Sequence, residues 1–296
     1  MKINNEERDY ILDSSLISTT FCKQRSNKTL YNAKLIDCNG YCQLYTFSSD
    51  KSIKIEEKEK KQSKIDISIL DTDLLKKIDN NSNIDNLKEI DLKNIMRSEL
   101  QCQRLAKCNS DIWETFITLT FADNITDIKF ANKEFNKFIS KIKRVYKDFK
   151  YICVPEFQKR GAIHYHLLTN ININNEKLIY RQLDNSKYFH IKYWNNGFDE
   201  VDIIKGDIKK IIGYISKYMT KDIDNRLFGK HRYMYSQNLN KPIISYLDLS
   251  NEKHIDFLNN ILGNKKLIYH NEYLNEFFNE KIDFKEFLIN NDIEND

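Results

Sequence analysis

Tyr151-Ile152-Cys153-Val154-Pro155-Glu156-Phe157, then Gln158-Lys159-Arg160-Gly161-Ala162, then Ile163-His164-Tyr165-His166-Leu167-Leu168-Thr169 reads as one β-hairpin. Both arms are rich in β-branched and aromatic residues, which suit a pleated, half-buried surface. A three-residue loop, Lys159-Arg160-Gly161, places glycine third, where the left-handed backbone is required. With that loop Gln158 pairs with Ala162, and counting outward sets Glu156 opposite His164. Side chains alternate along a strand, so His164 and His166 share one face while Ile163, Tyr165 and Leu167 take the other. One carboxylate and two imidazoles thus converge, and the opposite face is left for a core. Such a donor set, with positions open to water or phosphate, suits Mg²⁺ or Mn²⁺ and can also hold Zn²⁺. A lone His-x-His pair is equally compatible with ordinary strand histidines satisfied by neighbours. The opposed Glu156 and the turn glycine favour the metal reading.

Working outward, Thr115-Phe116-Ile117-Thr118-Leu119-Thr120-Phe121 reads as a strand ended by Asp123-Asn124. Residues 127–149 read as an amphipathic helix with Phe130, Phe135, Phe138, Ile139, Ile142 and Val145 at helical spacing. Residues 176–183 suggest a short helix and 198–204 a strand. Upstream, a helix is expected over 84–107. Residues 28–48 read as a hairpin turning at Asn39-Gly40, a pair that suits a type I′ turn. The segment from Ser48, with its run Lys54-Ile55-Glu56-Glu57-Lys58-Glu59-Lys60-Lys61, reads as an exposed connection. The expected fold is α+β, a central antiparallel sheet of about five strands covered by helices, with N- and C-terminal additions. The expected division is an accessory region over 1–90, a main domain over 91–245 and a helical acidic region over 246–296.

The second informative segment is Tyr214-Ile215-Ser216-Lys217-Tyr218, inside an amphipathic helix over 207–221. Ile208, Ile211, Ile212, Ile215 and Met219 form its apolar stripe. Lys210, Tyr214, Lys217, Tyr218 and Lys221 share an adjoining polar face, with the two phenols at i and i+4. A phenol ionises near pH 10 and needs help to attack at neutral pH. A neighbouring ammonium favours the phenolate, and a metal-held phosphoryl group is a suitable electrophile. Two tyrosines at the edge of a core are the plainer account of the same residues.

The 296 residues are 41% hydrophobic and 30% charged, with a net charge of +4. Residues 271–296 hold eight acids against Lys281 and Lys285, which leaves the first 270 residues at +10. A basic body with an acidic tail fits a polyanion-binding protein, although solvated surface charge accounts for the same numbers. No apolar run is long enough to span a bilayer, and Met1–Asp13 is too polar for a secretory signal, so no membrane association and a cytoplasmic, bacterial-host location are expected. The six cysteines form no CxxC pair, and free thiols are expected rather than a zinc site.

In combination and in order, Phe116–Phe121, His164-Tyr165-His166 and Tyr214-Ile215-Ser216-Lys217-Tyr218 resemble the three motifs of rolling-circle replication initiators of the HUH endonuclease superfamily, of the plasmid and single-stranded DNA phage type. The resemblance covers about residues 95–240. It implies a metal-dependent enzyme that nicks and rejoins single-stranded or hairpin origin DNA through a 5′-phosphotyrosine link. By position, it implies Tyr214 as nucleophile, Lys217 as the group that positions or neutralises the phosphate, and His164, His166 and Glu156 as ligands of Mg²⁺ or Mn²⁺. Tyr218 matches the second tyrosine of two-tyrosine members, although single-tyrosine members exist. Thr118 and Thr120 of the first motif are implied to be structural or DNA-contacting. Lys159, Arg160, Lys210 and Lys221 are further candidate phosphate contacts. Tyr188, Phe189, Tyr193 and Trp194 can stack on bases or pack in the core. No G-x-x-x-x-G-K-[ST] is present, so no ATP site is expected, and a host helicase and polymerase are the expected partners. A relaxase or transposase of the same superfamily, or a non-catalytic origin-binding repressor, are the alternative readings.

Overall fold

In the computed structural model, residues 24–25, 28–54, 89–158, 160–181, 189–204, 213, 232–275 and 280–289 are described. The chain divides into two compact units, one built from 76–240 and the other from 1–75 together with 241–296. The architecture is α+β, with two antiparallel sheets.

The first strands in chain order are β1 (Gln24–Arg25), β2 (Lys28–Cys38) and β3 (Tyr41–Lys54). They are followed by α1 (Glu89–Cys108), β4 (Thr115–Phe121), α2 (Ile128–Val145), β5 (Tyr151–Phe157) and β6 (Ile163–Thr169). Next come β7 (Ile179–Arg181), β8 (Phe189–Ile191), β9 (Gly197–Ile203) and β10 (Met234–Tyr235). The remainder is β11 (Ile243–Leu247), α3 (Glu252–Leu262), β12 (Lys265–Asn275) and β13 (Glu280–Ile289).

The 76–240 unit is built on a sheet ordered β10-β5-β6-β4-β9-β8-β7. The expected five strands become seven because the short β7, β8 and β10 extend a central set of four. The two faces of this sheet are covered differently. On one, Ile117, Leu119, Tyr165, Leu167 and Val201 pack against Phe135, Phe138, Ile139 and Ile142 of α2. Tyr165 is the centre of that core, fully buried, with its ring stacked on Phe135 at 4.6 Å and its hydroxyl donating to Asn132 Oδ1 at 2.7 Å. On the other face, Phe116, Ile152, Val154 and Leu168 pack with Cys102, Leu105 and Ala106 of α1. Burying an aromatic or aliphatic side chain of this size contributes about 1.5–3 kcal/mol, so two apolar layers hold the central strands firmly.

Helix α2 starts at Asp127, whose side chain accepts from Lys129 N as an N-cap. Two residues expected on its apolar stripe are not buried: Phe130 and Val145 are solvent-exposed. They lie about 100° and more from the centre of the arc formed by Phe135, Phe138, Ile139 and Ile142, at 100° per residue, so the stripe is narrower than its apolar composition suggests. The helix expected over 176–183 is also corrected. Residues 176–178 form a turn, and Ile179–Arg181 form β7, because Ile179 pairs with Ile191 and buries its side chain there.

In the second unit the sheet runs β1-β2-β3-β13-β12, with β11 on the other part of β2. The β2–β3 hairpin turns where expected, with positive φ at Asn39 (51°) and Gly40 (99°). Strand β3 continues through Lys54, so the charged connection begins later than Ser48; residues 55–66 fall outside the described segments. The 246–296 segment, expected to be helical, contains α3 but is mainly the β12–β13 hairpin. Its apolar residues alternate: Ile282 and Phe284 are buried, paired in register with Phe47 and Tyr45 of β3. Several of its acids are used in pairs: Glu280 with Lys51, Glu272 with Lys281 and Asp283 with Lys285. The stretches read as separate additions at either end thus share one sheet, and β11 crosses the expected boundary at 245. Among the described residues no helix is long and apolar enough to cross a membrane.

Candidate active site

The β5–β6 hairpin closes as its loop composition requires. Gly161 has φ 89°, its N–H donates to Gln158 O at 2.7 Å, and Gln158 N donates to Ala162 O at 2.8 Å. The register then sets Glu156 opposite His164, as the three-residue loop predicts. Ile163, Tyr165 and Leu167 point into the α2 core, which forces His164 and His166 onto the opposite face. Tyr165 therefore acts as the anchor that aims both imidazoles.

Strand β4 runs beside β6 and supplies a supporting residue for each ring. Thr118 pairs with His166 and Thr120 with His164. Thr118 Oγ1 lies 3.2 Å from His166 Nδ1, and Thr120 Oγ1 lies 3.4 Å from His164 Nδ1. His164 Nδ1 is also 3.3 Å from Gln158 Nε2. His166 Nε2 lies 2.7 Å from Glu156 Oε2, and the His166 ring stacks on Phe116 at 5.9 Å. The three side chains are buried at 4–8% exposure.

This arrangement fits a divalent cation. A ligating histidine normally uses its second ring nitrogen in a hydrogen bond that fixes ring orientation. Here the Nδ1 atoms are engaged by threonine hydroxyls, which directs the Nε2 atoms toward the common site. The contact between His166 Nε2 and the Glu156 carboxylate brings a nitrogen and an oxygen donor together, the mixed set Mg²⁺ or Mn²⁺ accepts from a protein that leaves positions open. Replacing Thr118 by Val keeps the shape and removes the hydroxyl. It is expected to weaken Mn²⁺ affinity about tenfold with little change in thermal stability, measured by calorimetric titration beside a melting curve. Unchanged affinity removes Thr118 from the site.

The cysteines are not competing nucleophiles. Cys102, Cys108 and Cys153 are buried free thiols, and burial holds the Cys102 and Cys153 thiols well above their ordinary pKa. The Tyr165 hydroxyl is likewise raised by burial and committed to Asn132.

Of the other expected residues, Arg160 is exposed at the hairpin tip, with Nε donating to Gln158 Oε1 at 3.1 Å. Lys159, Lys210, Tyr214, Lys217, Tyr218 and Lys221 lie outside the described residues, as does Tyr188. Trp194 is core: it is 4% exposed, packs edge-on to Phe121 and Phe138, and donates from Nε1 to Thr120 O. Phe189 packs partly against the same cluster, and Tyr193 is exposed with φ 77°.

One residue on this face escaped the sequence reading. Phe198 of β9 pairs with Thr120, and Thr120 pairs with His164, which pairs with Glu156. Phe198, Thr120, His164 and Glu156 thus form one row across four strands. Strands are spaced by about 4.8 Å, so Phe198 is about 10 Å from His164 on the same face. It is 73% exposed. The visible signal was a phenylalanine at the polar phase of β9, in step with Glu200 and Asp202 rather than with Val201.

Residues 114–223 match a family described as "Replication-associated protein", of the ORF2 type. That span begins at the edge of β4 and includes both the hairpin and the Tyr214–Tyr218 segment. A protein of Escherichia coli, "Phasyl DNA replicon protein arp", is 32% identical over 128 residues, which cover 38% of this chain and 44% of that protein. The chain therefore spans less than half the length of this relative. No solved structure matches the chain.

Proposed function

We propose that the chain is a replication initiator that nicks and rejoins one strand of origin DNA. The observation that carries this reading is the Glu156–His164–His166 cluster, held in register on one sheet face within the span that matches a replication-associated family. The similarity to a DNA replicon protein supports the same biological setting.

In the proposed reaction, the Tyr214 phenol attacks the scissile phosphorus. The tyrosine O–P bond forms as the P–O3′ bond breaks. The phenolic proton leaves, and the departing 3′ oxygen takes up a proton to give a free 3′-OH that can prime synthesis. The 5′ phosphate stays on the enzyme as a phosphotyrosine. Lys217, one turn along the same expected helix, favours the phenolate and balances the phosphoryl charge. Tyr218 is the candidate for a second transfer that ends the round. A Mg²⁺ or Mn²⁺ bound at Glu156, His164 and His166 would polarise the phosphoryl oxygens. Thr118 and Thr120 keep the imidazoles aimed, and Arg160 and Lys159 of the hairpin loop offer contacts to flanking phosphates.

Phe198 serves in this scheme as a stacking platform for a base one or two nucleotides from the scissile bond. An exposed ring in an otherwise polar row matches the way single strands are held, by base–aromatic stacking worth about 1–3 kcal/mol per base. Phe198→Ala is expected to raise KM for a single-stranded origin oligonucleotide about 5- to 100-fold while leaving kcat near its original value. A change confined to kcat would exclude the platform role.

The test of the function is a nicking assay on single-stranded DNA from the parent replicon, with and without Mn²⁺, read on a denaturing gel for a covalent protein–DNA band. Sequence-specific binding without cleavage in either condition would favour the repressor reading.

A further inference from the structure

The outer surface of α2 carries a concentration of positive charge. Lys129, Lys133, Lys137, Lys141, Lys143 and Arg144 stand against Glu134 alone, so these eighteen residues are at +5, above the +4 of the whole chain. Lys143 lies over the Tyr151 ring at 5.9 Å. The other five line a groove of about 760 Å³ with Asn132, Asn136 and Ser140, and all five are exposed. Lys137 contacts Glu134 at 2.6 Å, the one acid on the helix.

The stripe points away from the core. Phe135, Phe138, Ile139 and Ile142 are buried against the sheet, and at 100° per residue the lysines fall on the opposite side of the helix. The sheet face covered by α2 is also the face opposite His164 and His166. A helix diameter of about 10–12 Å and the sheet itself therefore separate the stripe from the candidate metal cluster. DNA held at that cluster does not reach these side chains without passing round the sheet.

We propose that α2 is a second, sequence-independent docking surface for duplex DNA. Successive cations at four-residue spacing are about 6 Å apart, and Lys129 to Arg144 spans about 22 Å. A duplex presents one phosphate charge per about 1.7 Å of axis, so a line of this length meets several phosphates at once. The groove lining contains amides, a hydroxyl and cations but no aromatic ring, which suits a phosphate backbone better than unpaired bases. The choice of DNA among polyanions rests on the function proposed above. The consequence is a protein that holds duplex on one side of its sheet while the opposite side works on a single strand.

The test uses the full-length chain in EDTA, where strand cleavage does not intervene. Binding to a short blunt duplex of arbitrary sequence is followed by anisotropy over a salt range of about 50–200 mM. Wild type is compared with the Lys133→Gln, Lys137→Gln, Lys141→Gln, Arg144→Gln variant. Glutamine is a good helix former on an exposed face, so the fold is retained, and a melting curve verifies it. Each lost phosphate contact lowers the slope of log K against log salt by about 0.9, so the slope is expected to fall by roughly 3–4. A variant with arginine at all four positions is expected to keep the wild-type slope. An unchanged slope in the glutamine variant overturns the proposal, whichever other anion the stripe attracts. Nicking of a short single-stranded oligonucleotide is expected to be unaffected by the four substitutions. Should no nicking be found in any form of the protein, the function fails while the duplex measurement still judges this surface.

Discussion

His166→Ala is expected to reduce metal-dependent strand cleavage by at least about a thousandfold, equivalent to about 4 kcal/mol of lost transition-state stabilisation. His166 sits at the centre of the cluster: Nδ1 is on Thr118, Nε2 is on Glu156, and the ring lies on Phe116. Removing it deletes one nitrogen donor and takes away the imidazole that lies 2.7 Å from the buried Glu156 carboxylate. A single lost ligand weakens a carboxylate–imidazole site far more than a lost supporting hydroxyl does, which is why this effect exceeds that of Thr118→Val. The check is cleavage rate as a function of Mn²⁺ concentration, together with direct Mn²⁺ titration. Near-normal cleavage at ordinary Mn²⁺ levels would show that the reaction does not use this cluster. Core packing is not at stake in the same way, because Tyr165 and the α2 contacts lie on the other face.

The second large effect concerns covalent chemistry. Tyr214→Phe is expected to abolish the first protein–DNA adduct on a single-stranded origin oligonucleotide, because phenylalanine has no oxygen to attack phosphorus. Tyr218→Phe is expected to leave that first adduct in place and to block the second transfer. The readout is a gel-shifted, protease-sensitive band formed in Mn²⁺ with each variant. Persistence of the first adduct in the double variant refutes both assignments and directs attention to another nucleophile. The two phenols are four residues apart on one predicted helical face, so each can serve the same phosphate site in turn.

The cluster was legible because its determinants are local. Gly161 defines the hairpin register, strand alternation separates His164 and His166 from Tyr165, and the count from the turn sets Glu156 opposite His164. The supporting threonines were visible only as motif residues, since their role depends on β4 lying beside β6, a contact between segments distant in the chain. Phe198 depends on one strand further still, and nothing local marks an exposed aromatic as sharing a row with distant ligands. The accessory sheet was least legible. The pairing of β13 with β3 joins segments from opposite ends of the chain, and their charge-rich composition obscures the alternation of Ile282 and Phe284. On α2 the apolar count suggested Phe130 and Val145 as core, while the angular position of each residue decides burial.

The pairing of Phe47 with Ile282 has a consequence for the order of events at the ribosome. More than two hundred residues separate them, so at about 5–20 residues per second the open edge of β3 waits roughly 10–50 seconds for the strand that covers it. The segment 76–240, whose own sheet closes within itself, is fully synthesised during that interval. The half of the polypeptide that carries the histidine cluster can therefore mature while the other half is still a hairpin with an uncovered rim, and β13 is the strand whose arrival ends that exposure.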